Sequence, residues 1–327
     1  LEKTITSNPI LLIGKIPPPI GGVTIHVQRL LEKLKTNYEG NFHFKTLNKK
    51  NLLLSFLFIL KYSYFHIHTS NVYLRLYYVL LGKIFGSKCI ITIHGDIGRY
   101  NSKLKNKLDV FVLKCATYPI LLNENSLQKA LRLNKNSVLI SSFIPPNMNK
   151  EFMSDDLKEN IVQFKSIYKN VFCTNAYNFS KDKNDSEIYG IFEIINYFTD
   201  NQDKGLIFSD PSGAYLTEFR KRNIKTPKNI LHITGDHSFF KVLNLSDFSI
   251  RNTSTDGDSI SVKESLFLNK ITFCTDVVSR PKGVFLYKRG DLKNTIHNFF
   301  NNSISQPHNN LVVDGSVQII ELYKNIK

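Results

Sequence analysis

The stretch PILLIGKIPPPIGGVTIHVQRLLEKL, residues 9–34, lays out a strand, a loop and a helix in that order. Residues 9–14 form an apolar run without polar alternation, which predicts a strand covered on both faces. Residues 23–36 repeat apolar side chains at helical spacing. Between them, Pro17, Pro18 and Pro19 restrict φ and hold the loop extended. Gly21 and Gly22 admit positive φ and let the backbone approach a ligand closely. A helix that starts directly after such a loop offers unpaired N–H groups and a positive dipole end to an anion. The loop therefore reads as a cradle for a phosphate or a sugar; a turn that merely needs glycine is the plainer reading. GxGxxG is absent, so the dinucleotide fingerprint is not present.

The same rhythm continues outward. Strands are expected at 65–69, 88–94, 118–123 and 137–140, with helices at 71–85, 102–116 and 124–132. The Pro pair in SSFIPPNMNK, residues 141–150, interrupts the pattern and marks a boundary. Strands then resume at 170–175, 205–209, 229–233, 248–251 and 270–275. Helices are expected at 186–199, 213–223, 237–244, 259–268, 291–302 and 315–326. Alternation of this kind predicts an α/β chain of two Rossmann-like, doubly wound parallel-sheet domains facing a central cleft. The domains are 1–150, which is basic, and 151–327, with the last helix able to cross back to the first. Ligands of open parallel sheets bind at the carboxyl ends of the strands, so residues just after strands are the ones to weigh.

Composition narrows the classes. The chain has 327 residues, 42% of them hydrophobic and 21% charged, which suits a globular protein rather than a disordered one. No apolar run reaches the ~18 residues of a membrane span, and no secretory signal is expected from the polar start. The four cysteines are widely spaced without a CxxC pair, and read as reduced core residues of a cytoplasmic protein. The net charge of +16 is uneven: residues 1–150 hold 21 Lys/Arg against 6 Asp/Glu, and residues 151–327 hold 22 against 21. Such asymmetry suits an anionic partner for the first half, or plain solubility charge.

Two further stretches follow strands. In TIHGDIGRY, residues 92–100, His94 stands at a strand end, with Asp96 and Arg99 as weaker candidates. His66 and His68 share one face of the preceding strand, but a third ligand is not evident and no metal is expected. In RNTSTDGDSISVKESL, residues 251–266, a helix opens near Ser259, with Asp258 or Ser259 as its cap. The amides of Ser259, Ile260 and Ser261 form a candidate anion site. Asp256 and Glu264 are eight residues apart, and a carboxylate such as Glu264 can accept two hydrogen bonds from a ribose diol. Helix capping is the plainer role for this acidic pair.

With these residues in place, the chain resembles a family-four retaining glycosyltransferase of the GT-B architecture. Gly21-Gly22 matches the family's loop after the first strand, His94 its histidine after a mid-domain strand, and Asp256 and Glu264 its Glu-x7-Glu pair. The resemblance spans nearly the whole chain. It implies that Glu264 holds the ribose of a nucleotide-sugar and that Asp256 touches the transferred sugar. Gly22 and the amides near Ser259 would bind the diphosphate. His94 would contact the sugar near the reacting carbon, its backbone carbonyl being one route. Three departures stand out. The first acid is Asp256 rather than Glu, and Ser259 replaces a usual Gly. The family's Arg and Lys after the first strand of the second domain are missing from NAYNFSKDKNDSEIYG, residues 175–190, where Asn175 or Asn178 and Tyr189 stand instead. Lys181, Lys183 or Arg251 is left to replace that charge.

The function this implies is transfer of a hexosyl or N-acetylhexosaminyl group, with retention and without metal or other cofactor. The donor would be a nucleotide-diphosphate-sugar, UDP-linked by expectation. The acceptor would be a lipid-linked saccharide or oligosaccharide of a bacterial surface polysaccharide such as O-antigen or capsule. NLLLSFLFILKYSYF, residues 51–65, flanked by Lys49, Lys50 and Lys61, suits an anionic membrane surface on the cytoplasmic side as well as it suits a core helix. The competing class is a non-catalytic nucleotide-binding protein. Basic strands interleaved with aromatics are absent, which argues against nucleic acid.

Overall fold

The computed structural model describes residues 9–182, 184–256, 258–302 and 312–326. The chain divides into two units: residues 1–144 with 313–327, and residues 145–312. Each is built on one six-stranded parallel sheet, as the alternation of apolar runs and helical patterns predicts.

In the first unit the order is β1 (Ile10–Gly14), α1 (Gly22–Asn37), β2 (Phe42–Thr46), α2 (Lys49–Leu53), α3 (Ser55–Ile59), β3 (Tyr64–His68), α4 (Val72–Phe85), β4 (Lys88–Ile93), α5 (Lys103–Cys115), β5 (Tyr118–Leu121), α6 (Glu124–Leu131) and β6 (Val138–Leu139). The second unit continues with α7 (Asp155–Ile167), β7 (Val171–Asn175), α8 (Ile191–Asp200), β8 (Gly205–Asp210), α9 (Ala214–Lys221), β9 (Ile230–Thr234), α10 (Phe239–Leu245), β10 (Phe248–Arg251), α11 (Ile260–Phe267), β11 (Ile271–Thr275), β12 (Phe285–Tyr287) and α12 (Leu292–Asn301). The chain then returns to the first unit with α13 (Gly315–Asn325).

The sheets are ordered β2-β1-β3-β4-β5-β6 and β12-β11-β10-β7-β8-β9. Both faces of each are covered. On β1, Ile10 and Leu12 pack with α1 and α13, while Leu11 and Ile13 pack with α4 and α5. The second unit has an aromatic face, in which Phe172 of β7 stacks on Phe248 of β10 at 4.5 Å, and an aliphatic face built from Val171, Cys173 and Ile207 with α7 and α10. All four cysteines are free thiols; Cys89, Cys173 and Cys274 are buried.

Sequence reading passes over several elements. The edge strand β2, FHFKT, is half-exposed and carries no buried apolar run. The short strand β12 closes the other sheet edge beside β11. Helix α7 is missed although Ser154 caps it by accepting from the Leu157 amide and two acids sit in its first turn. Residues 51–65 do not form one long helix: Leu53, Leu57 and Leu60 are exposed, while Ile59 and, in β3, Phe65 belong to the core.

The return of α13 depends on one glycine. The Gly315 amide donates to the Phe143 carbonyl at 2.7 Å, and a Cβ at position 315 would lie 1.9 Å from the Ser141 carbonyl oxygen. That neighbour is backbone and cannot rotate away. Gly315→Ala is therefore expected to destabilise the protein by about 1–3 kcal/mol, the usual cost of overpacking. A lower denaturation midpoint with unchanged slope in urea would show it; an unchanged midpoint would refute the close approach.

Candidate functional site

Each sheet has one place where the direction of winding reverses. In the first it lies between β1 and β3, because β2 joins one side of β1 and β3 the other. In the second it lies between β7 and β10, because β8 and β9 build one way from β7 and β10 the other. At such points the connecting loops diverge and leave the strand ends uncovered, which is where open parallel sheets bind ligands. The residues of interest collect there.

At the first reversal, β1 ends at Gly14. A Cβ there would lie 3.1 Å from Val27 and 3.4 Å from the His68 Cβ, so β1, α1 and β3 meet closely. The expectation of positive φ at Gly21 and Gly22 is not met. Gly21 is extended, with φ −168°, and caps α1, which starts at Gly22. The Gly21 amide donates to the Thr24 hydroxyl at 3.0 Å, and that hydroxyl lies 2.8 Å from the Pro19 carbonyl. The loop is thus tied into the first turn of the helix by hydrogen bonds, not by left-handed glycines. The first-turn amides of α1 still lack intrahelical acceptors, as in any helix.

Histidines gather beside this helix start. The His26 ring on α1 lies 5.2 Å from that of His68 and 5.3 Å from that of His94, and those two are 5.4 Å apart. His68 Nδ1 and His94 Nε2 are 3.2 Å apart, within hydrogen-bond reach. His26 Nδ1 donates to the Ser142 carbonyl at 2.8 Å. His66, one step inward, bonds to the Tyr323 hydroxyl at 2.6 Å and the Thr92 hydroxyl at 2.8 Å, so it is a satisfied core residue. Among the described residues no group of three His, Cys, Asp or Glu is placed to hold a metal ion. Arg99 pins the loop after β4, donating to the carbonyls of His94 and Ser70 at 3.1 Å each. Asp96 ties the same loop to Asn123 and Ser126. These two residues hold the loop.

At the second reversal, Arg251 ends β10. Its Nε and Nη2 donate to Asp256 at 3.0 and 3.2 Å, its guanidinium lies 5.3 Å from the Tyr189 ring, and its Nη1 is 3.5 Å from the Asn175 oxygen at the end of β7. Asp256 also accepts from Arg280 at 2.8 Å. Burial alone would push the Asp256 carboxyl up; the two guanidiniums outweigh it and hold the group well below the usual carboxylate range. Two arginines around one aspartate leave a net positive charge. It sits beside Asn175 and Tyr189, at the positions where the resemblance implied an Arg and a Lys. Arg280 was not singled out from the sequence. Its position shortly after the strand β11 is the only signal that pointed to it.

Helix α11 follows at once. Ser259 occupies the N-cap position but its side chain makes no capping bond; its hydroxyl pairs with that of Ser261 at 3.0 Å. Asp258 forms an ion pair with Lys263. The amides at Ile260 and Ser261 belong to the first turn and lack intrahelical acceptors. Glu264, one turn in, is 4% exposed. Lys181 is drawn elsewhere, into an exposed ion pair with Asp185 at 2.7 Å. Lys183 lies outside the described residues. The structure thus groups Arg251, Asp256, Asn175, Tyr189 and Arg280, sets Asp258, Ser259, Ile260, Ser261 and Glu264 along the start of α11, and places Gly21, Gly22 and His94 in the other unit.

Solved structures share this architecture across almost their whole length. Anabaena Alr3699/HepE in complex with UDP-glucose superposes with a TM-score of 0.66 at 10% identity, over 96% of this chain and 95% of that one. The fold is that of the GT-B proteins. Sucrose-phosphate synthase from Thermosynechococcus elongatus gives 0.65 at 13% identity over 90% of both chains. The UDP-GlcNAc 2-epimerase from Methanocaldococcus jannaschii gives 0.63 at 11% identity over 97% and 99%. No protein-family model and no curated protein sequence matches the chain.

The histidine cluster has a consequence for stability. Burial, reinforced by the neighbouring His26, lowers the His66 pKa to about 3, and burial lowers those of His68 and His94 as well. A histidine whose folded pKa lies below its unfolded value of about 6.5 binds its proton more readily when unfolded. Its stabilising effect is therefore complete above that value and is lost as pH falls toward the folded one. Each such group contributes a slope of about 1.4 kcal/mol per pH unit in that window. The unfolding free energy is expected to fall by about 2 kcal/mol or more between pH 7 and pH 5, measured by urea titration. A flat profile would mean that the cluster is not held neutral.

Proposed function

We propose that the protein is a glycosyltransferase that moves a sugar from a nucleotide-diphosphate-sugar, with a UDP-sugar as donor, to a saccharide acceptor with retention of configuration. The observation that carries this is the net positive Arg251–Asp256–Arg280 cluster beside the amide-lined start of α11, with a buried carboxylate one turn further on. The relatedness in fold to a protein solved with UDP-glucose supports the choice of donor.

The chemistry follows from charge. Breaking the anomeric C–O bond develops positive charge on the sugar and negative charge on the leaving diphosphate. The α11 amides and the Arg251 guanidinium stabilise the latter, so the reading needs no metal. Asp256 acts mainly by orienting the two guanidiniums, since its oxygens already accept from both. This differs from the direct sugar contact that the resemblance implies for it. Glu264 accepts the two ribose hydroxyls. For His94 the resemblance implies a contact with the transferred sugar. Retention by front-face attack is proposed because the Asp256 carboxylate already accepts from two guanidiniums and is a poor nucleophile.

Donor binding is tested by thermal stabilisation across a panel of nucleotide-sugars, since a ligand of the folded state raises its melting point. A UDP-sugar is expected to give the largest shift. Glu264→Gln, which removes charged hydrogen bonds worth about 3 kcal/mol together, should lower kcat/KM for the donor roughly a hundredfold. The anomeric configuration of the product decides the stereochemistry, and inversion would overturn the mechanism. Conversion of a UDP-sugar into its epimer, without sugar transfer or release of UDP, would assign the protein to the epimerase reading instead.

The acceptor is proposed to be lipid-linked, in assembly of a bacterial surface polysaccharide such as O-antigen or capsule, with the enzyme peripheral on the cytoplasmic face of the membrane. Among the described residues no helix is long and apolar enough to cross a membrane. Leu53, Leu57 and Leu60 are exposed on and beside α2 and α3, with Lys49, Lys50 and Lys61 exposed around them. Apolar side chains ringed by lysines suit the interface of an anionic bilayer. The protein is expected to co-sediment with vesicles containing phosphatidylglycerol at low salt and to be released at high salt. No sedimentation at low salt would remove the membrane from this reading.

A further inference from the structure

We propose that His68 is a positioning residue that fixes His94 as its Nδ1–H tautomer, making the His94 ring a hydrogen-bond donor toward the ligand and not a base. The role toward a sugar rests on the transferase reading above; the tautomer does not.

Two ring nitrogens face one another at 3.2 Å, His68 Nδ1 and His94 Nε2, and a hydrogen bond between neutral rings requires that one of them carry the proton. The far nitrogen of His68 decides which. His68 is 1% exposed, and its Nε2 is buried with no hydrogen-bond partner among the described residues. If His94 donated, His68 would carry its own proton on that Nε2, leaving a buried N–H with no acceptor. If His68 donates through Nδ1, the same site holds only a lone pair. Orphaned buried N–H groups are the rarer of the two, because desolvating an unpaired donor is the costlier arrangement. The His68 proton therefore sits on Nδ1, His94 Nε2 accepts it, and the His94 proton sits on its own Nδ1.

The surroundings keep this arrangement neutral. Burial opposes a positive charge on His94, and His26, Arg75, His66 and Arg99 add to it. The backbone carbonyl of His94 already accepts from Arg99, so the ring is the better placed group for a ligand. A neutral donor can hold a sugar hydroxyl while the anomeric bond breaks without adding positive charge beside the developing cation.

The test combines a spectrum with kinetics. Long-range proton–nitrogen correlation on 15N-labelled protein reports which nitrogen of each ring is protonated. The wild type should show His94 protonated at Nδ1 and bare at Nε2. His68→Asn, whose amide N–H takes the place of Nδ1–H, should keep that pattern and a kcat within about threefold. His68→Leu should give a mixture of tautomers and lower kcat at least tenfold, with donor KM changed less than twofold. A wild-type His94 carrying its proton on Nε2 would overturn the proposal. So would His68→Leu with unchanged tautomer and kcat. Should His68→Leu fail to fold, the wild-type and His68→Asn spectra decide. Failure of every donor to react would count against the transferase reading alone, because the spectra judge the tautomer independently.

Discussion

A parallel sheet covered on both faces has to return its chain through crossovers, and a sheet that grows in both directions from its first strand must reverse somewhere. That constraint organises this molecule. In each unit the reversal falls next to the first strand, between β1 and β3 and between β7 and β10. The strand interiors are apolar because helices lie on both sides. Polar and charged groups are consequently displaced to the carboxyl ends, where the loops part. The histidine cluster and the Arg251–Asp256–Arg280 cluster are the two results. Each is buried enough for electrostatics to be strong, and each sits where backbone amides at a helix start are nearby.

The two clusters differ in how they manage burial. In the second unit, opposite charges offset their desolvation by direct pairing, so Asp256 stays ionised and both guanidiniums are held in place. In the first unit burial instead lowers the pKa values of His66, His68 and His94, and these imidazoles stay neutral.

Much of this was legible in the sequence, for a definite reason. Buried parallel strands are continuous apolar runs, so β1, β3, β4, β7, β8, β10 and β11 stand out within a residue or so of their ends. Where burial is partial the signal fades: β2 and β12 lie at sheet edges, and residues 51–65 turn out as two short helices with exposed leucines. Candidates at strand ends, such as His94 just after β4 and Arg251 at the end of β10, can be picked out by that rule. Arg280 cannot, because its partnership with Asp256 is made by a loop whose path no spacing encodes. His26 was hidden differently: it looks like an ordinary helix residue until the tertiary structure brings its ring against those of His68 and His94, and His68 stood out only as half of a metal pair with His66. The glycines show the converse error. Gly21 and Gly22 suggested left-handed backbone, but the turn is made by the Thr24 hydroxyl.

The crossing of α13 back to the first sheet makes that unit discontinuous in the chain. Ile319, Ile320 and Tyr323 complete its apolar layer, and the Tyr323 hydroxyl satisfies His66 deep inside it. During synthesis the amino-terminal unit therefore stays unfinished while the entire second unit is made and folds. A chain interrupted before residue 315 lacks the α13 part of that layer and keeps only the cover that α1 provides, a state more open to proteolytic clearance. Synthesis of α13 is thus read out as protection of strands made much earlier.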